Sequence, residues 1–103
     1  MNGLALVVTH ELIPGHEDAF DALALRTLEG IRALEPGTLV YVTHAAADHP
    51  RQRIFYELYR DRAAFEEHEQ YAHVQTFLAE RVAHIESMDV QFLDVLAAHT
   101  VTS

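Results

Sequence analysis

The sequence of 103 residues has no cysteine and no tryptophan, and only four glycines and three prolines. Without cysteine there is no disulfide framework, no thiolate metal site and no cysteine nucleophile. The four glycines form neither a phosphate-binding loop nor a dinucleotide-binding fingerprint. These absences exclude several enzyme classes and favour a reducing cytoplasm as the compartment.

Basic residues are also scarce: 7 lysines and arginines face 16 acidic residues, and the formal net charge is −9. Binding to nucleic acid or to an anionic membrane requires basic side chains that neutralise phosphates, so neither partner is expected. The apolar run at residues 4–8 is too short to span a membrane and lacks the basic flank of a signal peptide. A composition of 50% hydrophobic residues without linkers or repeats predicts one domain over residues 1–103.

The hydrophobic periodicity predicts the order strand, helix, strand, strand, helix, strand, which is an α+β fold with an antiparallel sheet. Turns are expected at Pro14-Gly15 and at Glu35-Pro36-Gly37, where proline and glycine interrupt the pattern. The predicted strands cover residues 4–13, 39–46, 53–60 and 88–96, and the helices cover residues 16–34 and 61–85 with a break near Tyr71.

Both faces of the first strand are apolar, since Leu6 and Val8 point one way and Ala5 and Val7 the other. Helices of a βαββαβ unit cover one face of the sheet and leave the other open. Packing the open face on a second copy would bury it, so we expect a homodimer. The alternative is a monomer with an apolar open face.

Glu57 lies between Phe55 and Tyr59 on one face of the third strand, and His68 falls on the buried stripe of the next helix. Histidine suits proton abstraction near neutral pH, and a carboxylate on its other ring nitrogen fixes the tautomer. This pattern predicts His68 as a general base, Glu57 as the residue that orients it, and Tyr59 as a donor to a substrate oxygen. The alternative is a buried polar network that only fixes the helix on the sheet.

A metal site is not expected. The run His68-Glu69-Gln70-Tyr71-Ala72-His73 resembles a zinc motif, but that motif needs two histidines four residues apart on one helical face. A spacing of five turns the second ring by roughly 140° from the first. The remaining histidines include His10 and His44, which occupy strand positions that could line a cavity.

Three segments in this order resemble the antibiotic biosynthesis monooxygenase (ABM) domain family. They are Ile13-Pro14-Gly15-His16-Glu17-Asp18-Ala19-Phe20, then Glu35-Pro36-Gly37, then Tyr56-Glu57-Leu58-Tyr59-Arg60-Asp61-Arg62-Ala63-Ala64-Phe65 with His68, His73 and Phe77. The resemblance implies a ferredoxin-like fold that dimerises through its sheets into an α/β barrel. It also implies a cleft between sheet and helices in each subunit.

The same resemblance implies a cofactor-independent monooxygenase that acts on a small electron-rich aromatic, quinol or polyketide-like substrate, without metal or flavin. Unlike several polyketide-oxidising members, this chain has no tryptophan for its pocket. Two other functions stay open: a non-catalytic dimeric barrel that binds a small ligand or serves in stress, and an isomerase of a small phosphorylated dione. The expected catalytic residues are His68, Glu57 and Tyr59, and the expected substrate-binding residues are Tyr41, His44, Phe55, Phe65, His73 and Arg81.

Overall fold

Four strands and three α-helices make up the fold in a computed structural model that describes residues 3–99. The elements are β1 Leu4–Leu12, α1 Glu17–Leu34, β2 Thr38–Ala46, β3 His49–Tyr59, α2 Arg62–Gln70, α3 Ala72–Glu80, a 3₁₀ helix Arg81–His84, and β4 Ile85–Asp94. The two ends of the predicted domain, residues 1–2 and 100–103, lie outside the described residues.

The strands form one antiparallel sheet in the order β2-β3-β1-β4. Glu57 is the register partner of Leu6 on β1 and of Tyr41 on β2, and Leu6 in turn pairs with Phe92 on β4. Side chains of paired residues share a face, so one row crosses all four strands beneath the helices. The predicted ferredoxin-like α+β fold is confirmed.

Two predicted boundaries were wrong. The third strand begins at His49 and the fourth at Ile85, in each case earlier than the sequence pattern indicated. Pairing explains both: Ala46 faces His49 across a tight turn, and Leu12 faces Ile85 beyond an irregularity in β1. The long second helix is also divided into α2, α3 and the 3₁₀ helix. Inter-strand hydrogen bonds extend strands through residues whose own periodicity is weak.

The helices cover one face of the sheet and enclose the core. The buried cluster consists of Leu4, Leu6, Val8, Leu12, Phe20, Leu23, Ala24, Phe55, Tyr59, Ala64, Phe65 and Phe77. On the other face, Val42 of β2 and Leu93 of β4 are 42% and 36% exposed. None of the helices within residues 3–99 has the length and apolar character needed to cross a membrane.

The start of α2 is fixed by two local features. Asp61 is the N-cap, and its Oδ1 accepts a hydrogen bond of 2.8 Å from the Ala64 amide. Gly37, in the turn after α1, packs directly against Ala64: a Cβ at Gly37 would lie 2.7 Å from the Ala64 Cβ. The small residue therefore lets the α1–β2 turn approach α2 closely enough to place His68 near the end of α1.

We predict that Gly37→Ala destabilises the protein by roughly 1–3 kcal/mol, because the added methyl group overlaps Ala64. Urea denaturation of a double-mutant cycle measures this. Ala64→Gly alone should cost about 1 kcal/mol through helix propensity, and in that background Gly37→Ala should cost clearly less. An equal cost of Gly37→Ala in both backgrounds would show that crowding is not the cause.

Candidate functional site

A cavity of about 210 Å³ lies between the sheet and the helices. Its wall is mostly apolar and includes a few polar side chains, a composition common in small-molecule sites. The lining residues are Leu6, Val8, Tyr41, Glu57, Phe65, His68, Glu69, Val74, Phe77, Leu78, Arg81, Val90 and Phe92. Val90 and Phe92 are 39% and 51% exposed, so β4 borders the side that opens to solvent.

His68 borders this cavity from α2 and is 5% exposed. Its Nδ1 lies 2.6 Å from Oε1 of Glu35, at the end of α1. Because a carboxylate only accepts hydrogen bonds, Nδ1 carries the proton and donates it, which leaves Nε2 as the basic nitrogen. Nε2 has no hydrogen-bond partner within residues 3–99 and is not a buried unsatisfied atom. The ring is therefore oriented as a general base requires.

Glu35 also bonds two further side chains. Its Oε2 lies 2.5 Å from Nε2 of His73, and its Oε1 accepts a bond of 2.7 Å from the Thr38 hydroxyl. The His73 ring packs against α1 at Gly30, where an added Cβ would lie 2.5 Å from the ring. The carboxylate thus links three helices through hydrogen bonds that offset its burial.

Glu57 bonds Tyr59 rather than His68. The Tyr59 hydroxyl donates a hydrogen bond of 2.6 Å to Oε1 of Glu57. Burial raises the pKa of the Glu57 carboxyl above its usual value, although the Tyr59 bond and nearby His68 oppose this. Burial likewise raises the pKa of the Tyr59 phenol, and the charge of Glu57 adds to the effect. Glu57 itself faces the cavity.

Arg81 is the cation of the cavity wall. Its Nη1 lies 3.2 Å from Nε2 of His10, and its guanidinium carbon lies 5.4 Å from the centre of the Phe77 ring. It forms no salt bridge within residues 3–99. His10 is fully buried, with Nδ1 3.4 Å from the Arg53 carbonyl oxygen. Its Nδ1 therefore donates while Nε2 accepts from Arg81, which fits the neutral ring.

Five of the predicted site residues border the cavity: Tyr41, Glu57, Phe65, His68 and Arg81. Four do not border it. Phe55 is enclosed in the core, where its ring stacks on that of Phe77, and His44 is exposed and bonds the Ile54 carbonyl oxygen. Tyr59 is fully buried, and its hydroxyl bonds Glu57 instead of reaching the cavity. His73 is turned towards Glu35.

The prediction that Glu57 orients His68 was wrong, because Glu35 is the carboxylate bonded to the ring. Sequence reasoning missed Glu35 since it lies 33 residues from His68 and was interpreted only as part of a turn. One signal was available: an acidic residue at a helix C-terminus is opposed by the helix dipole, so its presence there suggests a specific partner. His10 was considered as a cavity residue, but it supports Arg81 from inside the core.

No group of three or more metal-ligating side chains suitable for a metal ion occurs in the part of the chain that the structure describes. His16 and His84 approach each other, with their Nδ1 atoms 2.9 Å apart, but no third ligand joins them there. Most structural or catalytic metal sites use at least three protein ligands.

The sequence model of the antibiotic biosynthesis monooxygenase family matches residues 4–80, which include α1, α2, α3 and three of the four strands. The chain belongs to this family. The matched range contains Glu35, His68 and His73, and it ends one residue before Arg81. The expected membership in the ABM family is therefore confirmed.

Solved structures from several bacteria share this ABM fold. PA3566 from Pseudomonas aeruginosa is 27% identical, with a TM-score of 0.85 over 94% of this chain and 97% of that chain. Rv0793 from Mycobacterium tuberculosis is 23% identical, with a TM-score of 0.87 over 95% and 99%. A structure described as a candidate antibiotic biosynthesis monooxygenase from Caulobacter crescentus is 21% identical, with a TM-score of 0.88 over 93% and 92%. No curated protein matches the chain significantly.

The buried His10 of this ABM domain predicts an acid-sensitive fold. Burial, assisted by the Arg81 charge, lowers the pKa of His10 from 6.5 to about 4. The unfolded chain therefore binds more protons between these values, and stability falls as the pH drops through them. We expect His10 to account for a loss of about 3 kcal/mol in the free energy of unfolding between pH 7 and pH 4.

Urea denaturation of the native protein and of His10→Gln across this pH range tests the prediction. The amide of glutamine can still accept from Arg81 and does not titrate. The difference between the two curves should isolate His10, because the other titrating groups are common to both. Parallel curves would show that His10 contributes nothing to the acid sensitivity.

Proposed function

We propose that this ABM protein is a cofactor-independent monooxygenase of a small aromatic hydroxy compound, such as a quinol. The proposal depends on one observation: His68 is oriented by Glu35 on one side and borders an apolar cavity on the other. Oxygenation without a cofactor needs a substrate that becomes electron-rich when it is deprotonated. A neutral, oriented imidazole beside a substrate pocket is suited to that deprotonation.

The dimensions and wall of the cavity favour one or two aromatic rings. Its volume of about 210 Å³ exceeds the ~150 Å³ of an apolar cavity that binds benzene. It is smaller than the roughly 300–1,000 Å³ typical of sites for drug-sized ligands. Phe65 and Phe77 lie in its wall and can pack on an aromatic ring. A compact quinol therefore fits this volume better than a large fused-ring polyketide.

Arg81 is placed to bind the oxyanion that His68 creates. It borders the same cavity, has no carboxylate partner within residues 3–99, and is held from behind by His10. Its pKa is lowered by burial. Its charge would still stabilise a phenolate, since electrostatic interactions are strong in a site with little water.

The proposed reaction begins when a substrate hydroxyl gives its proton to Nε2 of His68. The resulting anion transfers an electron to O₂, and the two radicals combine to a carbon-bound peroxide that loses water. For a 1,4-dihydroxyarene the sum is one substrate and one O₂ to one hydroxyquinone and one water. One oxygen atom enters the product and the other is reduced to water, so the protein supplies no electrons.

A phosphorylated dione is less compatible with the site. Arg81 is the basic side chain among the lining residues, whereas Glu57 and Glu69 are acidic. A phosphate dianion normally requires several donors or a helix N-terminus aimed at it. These charges favour a substrate that is neutral in solution and becomes an anion only after it has bound.

We predict that the native protein consumes O₂ with 1,4-naphthohydroquinone and that His68→Ala lowers the rate by roughly 10²- to 10⁴-fold, the contribution of a positioned base. Oxygen uptake measures the rate, and ¹⁸O₂ should place one labelled atom in the product. His49→Ala, at an exposed position, is the matched control and should retain the native rate. Equal rates for native and His68→Ala would exclude His68 as the base. Thermal stabilisation by the quinol without uptake would favour the ligand-binding alternative.

Glu35 and Glu57 are distinguished by matched amide substitutions. In Glu35→Gln the amide can donate to Nδ1 of His68, which places the ring proton on Nε2 and blocks the base. We predict a fall in kcat of roughly 10²- to 10⁴-fold, as for other bases held in the wrong tautomer. Glu57→Gln should change KM more than kcat, because Glu57 bonds Tyr59 rather than His68. A larger loss of kcat in Glu57→Gln would reverse the two assignments.

We also propose that the open face of the sheet pairs with that of a second copy, because Val42 and Leu93 expose apolar side chains there. Val42→Asp should then sediment as a monomer at micromolar concentration while the native protein sediments as a dimer. Val82→Asp is the matched control, since Val82 is 67% exposed on the 3₁₀ helix. A native monomer would refute the pairing.

A further inference from the structure

His68, Glu35 and His73 form a continuous hydrogen-bonded chain that begins at the cavity. Glu35 places Oε1 2.6 Å from the His68 ring and Oε2 2.5 Å from the His73 ring. The exposed fractions of the side chains are 6% for His68, 2% for Glu35 and 17% for His73. His73 is therefore the member of the chain with the greatest access to solvent.

One carboxylate serves two imidazoles in this arrangement. Glu35 carries a single negative charge, which balances one imidazolium. If both rings were protonated, the buried cluster would hold a net positive charge, and burial makes such a charge costly. Protonation of either ring therefore opposes protonation of the other, and the two rings titrate as a coupled pair.

We propose that His73 is the group through which the active site exchanges protons with solvent, an inference that rests on the proposed function of His68 as the base. Before reaction, His73 holds the proton that Glu35 balances. When the substrate O–H bond breaks and an N–H bond forms at Nε2 of His68, an N–H bond breaks at Nδ1 of His73 and its proton passes to water or buffer. The charge of Glu35 then balances His68, and no proton crosses the carboxylate.

The packing around His73 keeps its ring in place. On one side, Gly30 leaves space that a Cβ would fill, since that atom would lie 2.5 Å from the ring. On another side the ring stacks with Tyr71, with 5.3 Å between the ring centres. A purely structural tie between the helices would need a hydrogen-bond donor at this position. A proton exchanger needs a titratable ring.

Other ionisable groups near the chain are those whose charges couple to it. They are Tyr41 on β2, Glu57 and Tyr59 on β3, Tyr71 between α2 and α3, Arg32 near the end of α1, and Arg81 at the 3₁₀ helix. These groups remain in the variants below. Differences between native and variant proteins therefore report on His73.

Calorimetry of quinol binding tests proton release directly. Anaerobic titration with 1,4-naphthohydroquinone near pH 6, in two buffers of different ionisation enthalpy, counts the protons released per bound molecule. The native protein should release about one proton, and His73→Gln should release none, because its amide preserves a donor to Glu35 but cannot titrate. Equal proton release by both proteins would overturn the proposal while leaving the oxygenase function intact.

Turnover gives a second measurement. In dilute buffer, His73→Gln should turn over about tenfold more slowly than the native protein, and millimolar imidazole should restore its rate. Gly30→Ala, which displaces the ring without removing a titratable group, should show the same loss and the same recovery. A loss that imidazole does not restore would indicate a structural tie and refute proton exchange.

Histidine ¹⁵N NMR of the protein without quinol separates this proposal from the proposed function. In the native protein, the titration curve of His68 should contain an inflection caused by His73, and this inflection should vanish in His73→Gln. Identical His68 curves in both proteins would refute the coupling, whether or not any quinol is oxidised. Coupled curves without oxygen uptake would refute the oxygenase and leave the coupled pair established.

Discussion

The hydrogen bonds of Glu35 to His68 and His73 are the interaction on which the rest of the site depends. Three helices meet at this carboxylate: α1 ends beside it, α2 supplies His68 and α3 supplies His73. The charge lies at the unfavourable end of a helix dipole and is almost completely buried. Two imidazoles and a threonine hydroxyl offset this cost. The same bonds that hold the helices together determine which nitrogen of His68 faces the cavity.

The cavity combines this oriented ring with a cation and an aromatic wall. The row of side chains that crosses the sheet at Leu6 and Glu57 forms its floor, and α2 and α3 close it from above. Arg81 enters from the far end of α3, where the neutral His10 accepts its hydrogen bond without competing for its charge. A base and an oxyanion-binding cation thus lie on the wall of one small apolar cavity, which is the combination that the proposed chemistry requires.

The local signals in the sequence predicted most of the fold. The Asp61 cap, the turn at Glu35-Pro36-Gly37 and the alternation in β1 depend on near neighbours, and each appears in the structure. The early starts of β3 and β4 were missed, because those residues become strand only when β1 or β2 pairs with them. Burial of His68 was predicted correctly because helical spacing determines the face of a side chain. Its bonding partner was not, since Glu35 approaches it only after α1 and α2 have packed.

By itself, the sequence determined the element order, the apolar faces and the absence of cysteine chemistry, because spacing and composition govern these directly. The tertiary structure decided which carboxylate orients His68, that Tyr59 and Phe55 are enclosed, and that His44 lies outside the cavity. A hydrogen bond requires two atoms within about 3 Å. A separation of 33 residues carries no such distance until the helices are packed on the sheet.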